Sequence, residues 1–258
     1  MARAKRHYIP GYIWHITQRC HKREFLLRFA KDRHRWMQWL FEAKRRYGLT
    51  ILNYIITSNH IHLLVKDSSG KDTISKSLQL VAGRTAQEFN QRKQRQGAFW
   101  QDRYHAVAIE SGKHFRQCLV YIDMNMVRAG VVDHPSKWIC SGYNEVQKPR
   151  RKYRLISYDV LMKLSGYLNY HDFQKAHRGW IEEAIDQSKT KRESHWTESI
   201  AVGSHAFVKE IKNKLAVKTV GRKMRDIIDG FELREPEFSY NALFEAKKED
   251  IGQNRGPN

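Results

Sequence analysis

Cysteine is scarce in this 258-residue sequence: Cys20, Cys118 and Cys140 are the only three, far apart and without a C-x-x-C pair. That argues against a disulfide framework and against a structural zinc site. No apolar run approaches membrane-spanning length. No glycine-rich phosphate-binding loop of the kind an ATP user carries is present. The opening Met-Ala-Arg-Ala-Lys-Arg-His has no apolar stretch behind it to act as a signal peptide, so the expected setting is reducing and cytoplasmic. Acidic residues are also few beside basic ones. Asp and Glu number 27 against 47 Lys and Arg, a net charge of +20. An excess of that size, spread over the whole length, points to a polyanionic partner. Nucleic acid is the first choice and an anionic membrane surface the rival. The rival lacks a basic amphipathic helix with an apolar face free for lipid. The hydrophobic fraction of 41% supplies material for a real core.

The apolar periodicity predicts a definite order of elements. Residues 12–20 alternate loosely and read as a strand. Trp36, Leu40, Ala43 and Tyr47 recur at helical spacing over 31–47, and Gly48 supplies the stop. Residues 50–57 are β-branched and aromatic, Ser58-Asn59 breaks the run, and 60–66 resumes it, as in a hairpin. Ile74, Leu78, Val81, Thr85 and Phe89 form the stripe of a helix over 73–93, a strand follows at 104–110, and a last helix spans 113–129 before Gly130. Strand-helix-strand-strand-helix-strand suits an α+β fold: a four-stranded antiparallel sheet with helices, the split βαβ or ferredoxin-like arrangement. After about residue 145 the texture changes. Residues 149–154 are a basic linker, followed by short helical patterns at Val160/Leu164/Leu168, Phe173/His177/Trp180 and Phe207/Ile211/Leu215, with Ser204 a plausible N-cap for the last. We read residues 1–148 as one domain and 149–258 as the linker, a small helical C-terminal unit and a polar tail.

Chemistry concentrates in two places. In a strand, His60 and His62 point to the same face, where two imidazoles can share one divalent cation. Alone this is a weak signal in a chain with 13 histidines. On the helix at 113–129 a second face carries Gln117, Tyr121, Asn125 and Arg128, with Tyr121 and Asn125 one turn apart. Alone, Tyr121 reads as a packing residue. Together the groups suit phosphodiester chemistry. A phenol oxygen can attack phosphorus and store the bond energy as a phosphotyrosine, and an amide oxygen can complete the coordination of a hard cation. Basic residues off the apolar stripe of the 73–93 helix and just beyond it, Arg84, Arg92, Lys93 and Arg95, face solvent or a phosphate backbone. Tyr8 and Tyr12, near Arg3, Lys5 and Arg6, suit stacking of unpaired bases beside a phosphate-binding arm, or an ordinary strand start.

These residues match a known pattern. Ser58-Asn59-His60-Ile61-His62-Leu63-Leu64-Val65 resembles the metal motif of the HUH endonuclease superfamily, histidine-hydrophobic-histidine. Phe99-Trp100-Gln101-Asp102-Arg103-Tyr104, followed by Tyr121-Ile122-Asp123-Met124-Asn125-Met126-Val127-Arg128-Ala129-Gly130, is similar to its single-tyrosine transposase branch, and best to the transposases linked to repeated extragenic palindromes in bacteria. The resemblance covers roughly residues 7–145. It implies Tyr121 as nucleophile, His60, His62 and Asn125 as ligands of Mg²⁺ or Mn²⁺, and cleavage to a 5′-phosphotyrosine and a free 3′-hydroxyl. It implies single-stranded and hairpin DNA as partners, contacts by Arg103 and Arg128, and a bacterial cytoplasmic, nucleoid-associated setting. Dimers that exchange catalytic helices occur among such transposases, so monomer and homodimer both stay open. The pattern usually has proline after the asparagine. Met126 stands there instead, and it suits the core stripe of a helix that continues without a break. The competing expectation is a DNA-binding regulator that keeps the fold and does not cut. Residues 155–258 contain none of the four reacting side chains, so a chain ending near Arg150 is expected to keep the chemistry.

Overall fold

The computed structural model describes residues 9–67, 72–187, 192–215 and 222–234. The first half follows the periodicity closely. Strand β1 (Ile13–Arg19) leads to helix α1 (Ala30–Tyr47), hairpin β2 (Thr50–Ile56) and β3 (His60–Lys66), helix α2 (Thr73–Arg92) and strand β4 (His105–Ile109). Gly48 adopts a left-handed conformation with φ 70° and its N–H caps the Lys44 carbonyl, so the stop after α1 is physical as well as compositional. These four strands lie in the order β2-β3-β1-β4 with every neighbour antiparallel, the split βαβ arrangement.

Two expectations need correction. The sheet has seven strands among the described residues, running on as β5 (Ser199–Gly203), β7 (Gly230–Arg234) and β6 (Lys223–Ile227). β5 joins β4 in a short parallel pairing of Ala108 with Ala201 and Ile109 with Val202. The part after residue 148 is therefore not solely helical, and it shares one sheet with the part before. Its short apolar run Ile200-Ala201-Val202 is fully buried, and the two-residue turn Ile228-Asp229 joins β6 to β7, with Ile227 paired to Gly230. The helix over 113–129 is also divided. Helix α3 (Lys113–Asp123) ends at Met124, whose ψ is −1°, and a short helix α4 (Asn125–Arg128) begins at Asn125.

The remaining helices are α5 (Gly142–Gln147), α6 (Tyr158–Ser165), α7 (Tyr170–Asp186), α8 (His195–Glu198) and α9 (His205–Leu215). The Ser204 hydroxyl accepts from the Phe207 N–H at 3.2 Å, the expected cap of α9. Leu168, placed by spacing on the stripe of α6, lies beyond that helix and is fully exposed. Both faces of the sheet are covered. In β1 alone Trp14 and Ile16 on one face and Ile13 and His15 on the other are buried. Trp14, Trp36, Tyr54, Phe115 and Phe173 are the largest fully buried side chains. No helix among the described residues is long and apolar enough to cross a membrane.

Buried polar ties bind the later segments to β2 and α3. The Glu145 carboxylate accepts from the Leu155 and Ile156 N–H groups at 2.7 and 2.9 Å and from the Tyr54 hydroxyl at 2.9 Å. The end of the basic linker is thereby docked onto the sheet rather than free. Asp123 accepts from Asn53 at 3.0 Å and pairs with His177 at 2.8 Å, which pins the last residue of α3. Gly142 packs against this network: a Cβ there would lie 2.0 Å from Asn53 Oδ1 and 3.0 Å from the Tyr54 nitrogen. Gly142→Ala should therefore displace Asn53 from Asp123 and destabilise the chain by about 1–3 kcal/mol, as overpacking does elsewhere. Urea unfolding reads this, and an unchanged midpoint and slope would show that the contact is loose.

Candidate active site

The site forms where β1, β3 and the α3–α4 junction meet. Antiparallel pairing sets Thr17 opposite His62, Arg19 opposite His60 and His15 opposite Leu64. His15 and His62 are thus diagonal neighbours on one face, within reach of each other. Their rings meet through His15 Nε2 and His62 Nδ1 at 2.9 Å, and His15 Nδ1 lies 2.7 Å from the Trp196 carbonyl oxygen. The other nitrogen of His62, Nε2, lies 3.1 Å from the Asn125 side-chain amide. Asn125 also hydrogen-bonds the His60 side chain. His60 Nδ1 is taken up by the Thr57 hydroxyl at 2.9 Å and the Asn59 amide oxygen at 2.7 Å, which orients the ring from behind.

Tyr121 projects into the same place. Its ring lies 5.9 Å from that of His62, 6.0 Å from that of His15 and 6.0 Å from that of Trp196. The Arg128 guanidinium sits 4.1 Å over the Tyr121 ring and donates to the Tyr121 carbonyl at 2.6 Å. Only 5% of Tyr121 is exposed, and burial pushes its phenol above the usual range, with Arg128 and Arg192 opposing that shift. Burial likewise lowers the histidines: His60 to about 4, His15 to about 3 and His62 well below the ordinary value. All three rings are neutral at neutral pH, the state in which an imidazole nitrogen can hold a metal.

Among the described residues no group of three or more His, Cys, Asp and Glu side chains is placed to hold a metal ion. The donors that converge are two imidazoles and one amide, and an amide oxygen suits a hard cation. That set fits a divalent ion if the Asn125 amide presents its oxygen.

The residues proposed for DNA contact are not equivalent. Arg3, Lys5 and Arg6, with Tyr8, lie outside the described residues. Arg84 and Arg103 are exposed. Arg92 is paired with Asp32, Lys93 lies over the Phe29 ring at 5.5 Å, and Arg95 donates to the Ala98 carbonyl at 3.0 Å. Arg128 is drawn into the site. Sequence reasoning missed His15, Arg19, Arg192 and Trp196. Arg19 and Arg192 both act electrostatically on His60. Arg19 could have been found by pairing the 12–20 strand with the His-x-His strand. His15 needed the same register, and nothing local marks Trp196 as its partner.

The depressed histidines carry a sign for stability. Unfolded, each takes up a proton near pH 6.5, whereas folded it resists protonation until far lower pH. The unfolded state therefore binds more protons as pH falls, and stability present above pH 6.5 is lost. Between pH 7.5 and 5.5 carboxylates remain ionised, so this loss belongs to the histidines. The melting temperature should drop over that window, and an unchanged value would contradict neutral burial of the three rings.

Solved structures with similar chains include a tyrosine transposase associated with repeated extragenic palindromes, bound to such a hairpin. It is 23% identical, with 60% of this chain and 90% of that one covered, at a TM-score of 0.49. A candidate transposase from Deinococcus radiodurans R1 is 13% identical over 50% of this chain and 97% of its own, at a TM-score of 0.34. No curated protein matches the sequence. Residues 9–125, the span that holds His15, His60, His62, Tyr121 and Asn125, match the model of the IS200-like transposases.

Proposed function

We propose that this protein is a metal-dependent endonuclease and strand transferase for single-stranded DNA, acting beside hairpins through a 5′-phosphotyrosine on Tyr121. The observation that carries the reading is the meeting of Tyr121, His62, His60 and Asn125 at one place in a single chain. A fold kept only for DNA binding has no need of that set. The hairpin component comes from the resemblance of Phe99–Tyr104 and Tyr121–Gly130 to the palindrome-associated branch. Because one chain already brings Tyr121 to its own His62, the reading uses Tyr121 in cis. Residues 1–148 supply every reacting side chain on this reading, and 149–258 supply support.

His60, His62 and Asn125 would hold Mg²⁺ or Mn²⁺, which when bound supplies Lewis-acid polarisation of the scissile phosphate. The chain's own residues do the rest. Arg19, Arg128 and Arg192 surround the pocket with positive charge and suit phosphate oxygens. Tyr121 Oη attacks phosphorus in line, the bond from phosphorus to the 3′ oxygen breaks, and the phenol proton ends on the leaving 3′-hydroxyl. Rejoining is the reverse: a 3′-hydroxyl attacks the phosphotyrosine and Tyr121 regains its proton. The diester energy is conserved, so joining needs no ATP. Burial of the phenol means that it stays protonated at rest and gives up its proton only as it attacks.

Tyr121→Phe removes one hydroxyl and keeps the ring packing. It should bind hairpin DNA like the wild type, form no covalent adduct and neither cut nor rejoin. Denaturing gels with label on either side of the cut read both adduct and polarity. A normal adduct in this variant would move the nucleophile, with Tyr104, now bonded to Ser75 at 3.2 Å, next in line. Hydrolytic product without adduct would make the protein a water-using nuclease. Binding with no cleavage by the wild type would leave the DNA-binding regulator. His60→Ala and His62→Ala should abolish cleavage while leaving most affinity, and full activity in EDTA would exclude the metal.

Affinity for hairpin DNA should depend steeply on salt, because a +20 chain binds largely by releasing counterions. Between about 50 and 200 mM salt a loss of about 10³-fold or more is expected for six or more phosphate contacts. A flat response would mean that the basic faces do not touch phosphate.

A further inference from the structure

His15 has no counterpart among the residues named for the reaction, yet it is completely buried against one of them. Its hydrogen bonds can be read in order. A carbonyl oxygen only accepts, so the 2.7 Å contact with Trp196 requires the proton of His15 on Nδ1. A fully buried imidazole whose polar partners are a carbonyl and a second imidazole is neutral, since an unpaired charge there is too costly. His15 Nε2 therefore carries a lone pair. It lies 2.9 Å from His62 Nδ1, so His62 carries its proton on Nδ1 and donates it. The two ring centres lie 5.1 Å apart at an interplanar angle of 15°. That is the separation of two rings joined edge to edge through a nitrogen–nitrogen hydrogen bond, wider than a face-to-face stack. His62 Nε2 is left with its lone pair on the Asn125 side, where Asn125 Nδ2 lies at 3.1 Å.

We propose that His15 is a positioning residue: with its own proton held by the Trp196 carbonyl, it fixes His62 in the Nδ1–H tautomer and so presents His62 Nε2 to a divalent cation. The metal half of this rests on the function proposed above. The logic is that of the partners that orient metal-bound histidines in general, which fix the tautomer through the second ring nitrogen. Here an imidazole backed by a main-chain carbonyl fills the place often taken by a carboxylate. The acceptor at the far end, the Trp196 carbonyl, comes from α8, outside the span that matches the transposase family. The C-terminal part thus contributes a main-chain oxygen to the site, besides the side chains of Arg192 and Trp196. A free histidine favours the opposite tautomer, with the proton on Nε2, which would turn the lone pair away from Asn125.

The full-length, metal-free chain labelled with ¹⁵N-histidine tests the tautomer directly by long-range proton–nitrogen correlation at neutral pH. The His15 and His62 signals are assigned by their loss in His15→Gln and His62→Gln. Both rings should show a protonated Nδ1 and an unprotonated Nε2; a protonated Nε2 on His62 overturns the proposal. Mn²⁺ titration followed by electron paramagnetic resonance supplies the second readout. His15→Leu removes the acceptor and should weaken Mn²⁺ binding by about 10–100-fold. His15→Gln can accept the same proton with its amide oxygen and should recover most of the loss. Wild-type Mn²⁺ affinity in a folded His15→Leu chain overturns the proposal. If that variant does not fold, the wild-type tautomer spectrum decides. Should the wild type show the expected tautomer and bind no Mn²⁺, the metal reading above fails while the hydrogen-bond order stands.

Discussion

The antiparallel pairing of β1 with β3 places Thr17 against His62 and Arg19 against His60, and the site has no other foundation. Side chains alternate across a strand, so a slip of one residue would send His15 and Arg19 to the opposite face. The slip is prevented on two sides. β1 is central, paired with β3 along one edge and with β4 along the other, where Ile13 lies opposite Ile109 and Thr17 opposite His105. Trp14 and Ile16 point into the core on the far face and would have to be exchanged for polar neighbours. The same face that receives His15 and His62 then receives Tyr121 from α3 and Trp196 from α8, so core packing and site geometry are set by one register.

The second constraint is the break at Met124. In an unbroken helix the Asn125 N–H would bond the Tyr121 carbonyl, one turn back. Here that carbonyl accepts from the Arg128 guanidinium, and Asn125 starts a new short helix. The break costs helical continuity and is held from behind: Asp123 is fixed by Asn53 and His177, both buried. One side of the junction is anchored to the sheet, and the other carries the amide to His60 and His62. Arg128 joins the two by covering the Tyr121 ring while it caps the freed carbonyl.

Much of this was legible in the sequence, and the failures have physical reasons. Strands β1 to β3 and helices α1 and α2 follow from longer, periodic runs, where the pattern of burial is written residue by residue, and β4 from the short apolar run at 106–109. His60 and His62 were legible because a strand's two-residue period needs no partner to place them together. His15 was not, because its role exists only across a strand pair, and no single-strand pattern records register. Strands β5 to β7 are no shorter than β4, but β5 meets β4 through only two residue pairs and β6 is largely exposed, so neither carries a clear alternation of burial. The break at Met124 left no trace, since Met is a good helix former and the forces that divide the helix come from Arg128, Asn53 and His177.

The charge of the site bears on how metal and DNA would share it. Two neutral imidazoles and an amide bring no negative charge to a cation, and Arg19, Arg128 and Arg192 bring positive charge close by. Mg²⁺ and Mn²⁺ are ordinarily held by carboxylates together with substrate phosphates. On the proposed reading the negative charge that is missing from the protein must come from the scissile phosphate. The arginines then serve the phosphate, which can satisfy them and the ion together, since each phosphate offers several oxygens. Binding of one ligand removes the repulsion that opposes the other, and the coupling is reciprocal: DNA raises affinity for the ion by the factor by which the ion raises affinity for DNA. On that reading the site holds its metal more firmly when there is a strand to cut. That follows from burying the histidines neutral among arginines and from leaving every carboxylate out of the donor set.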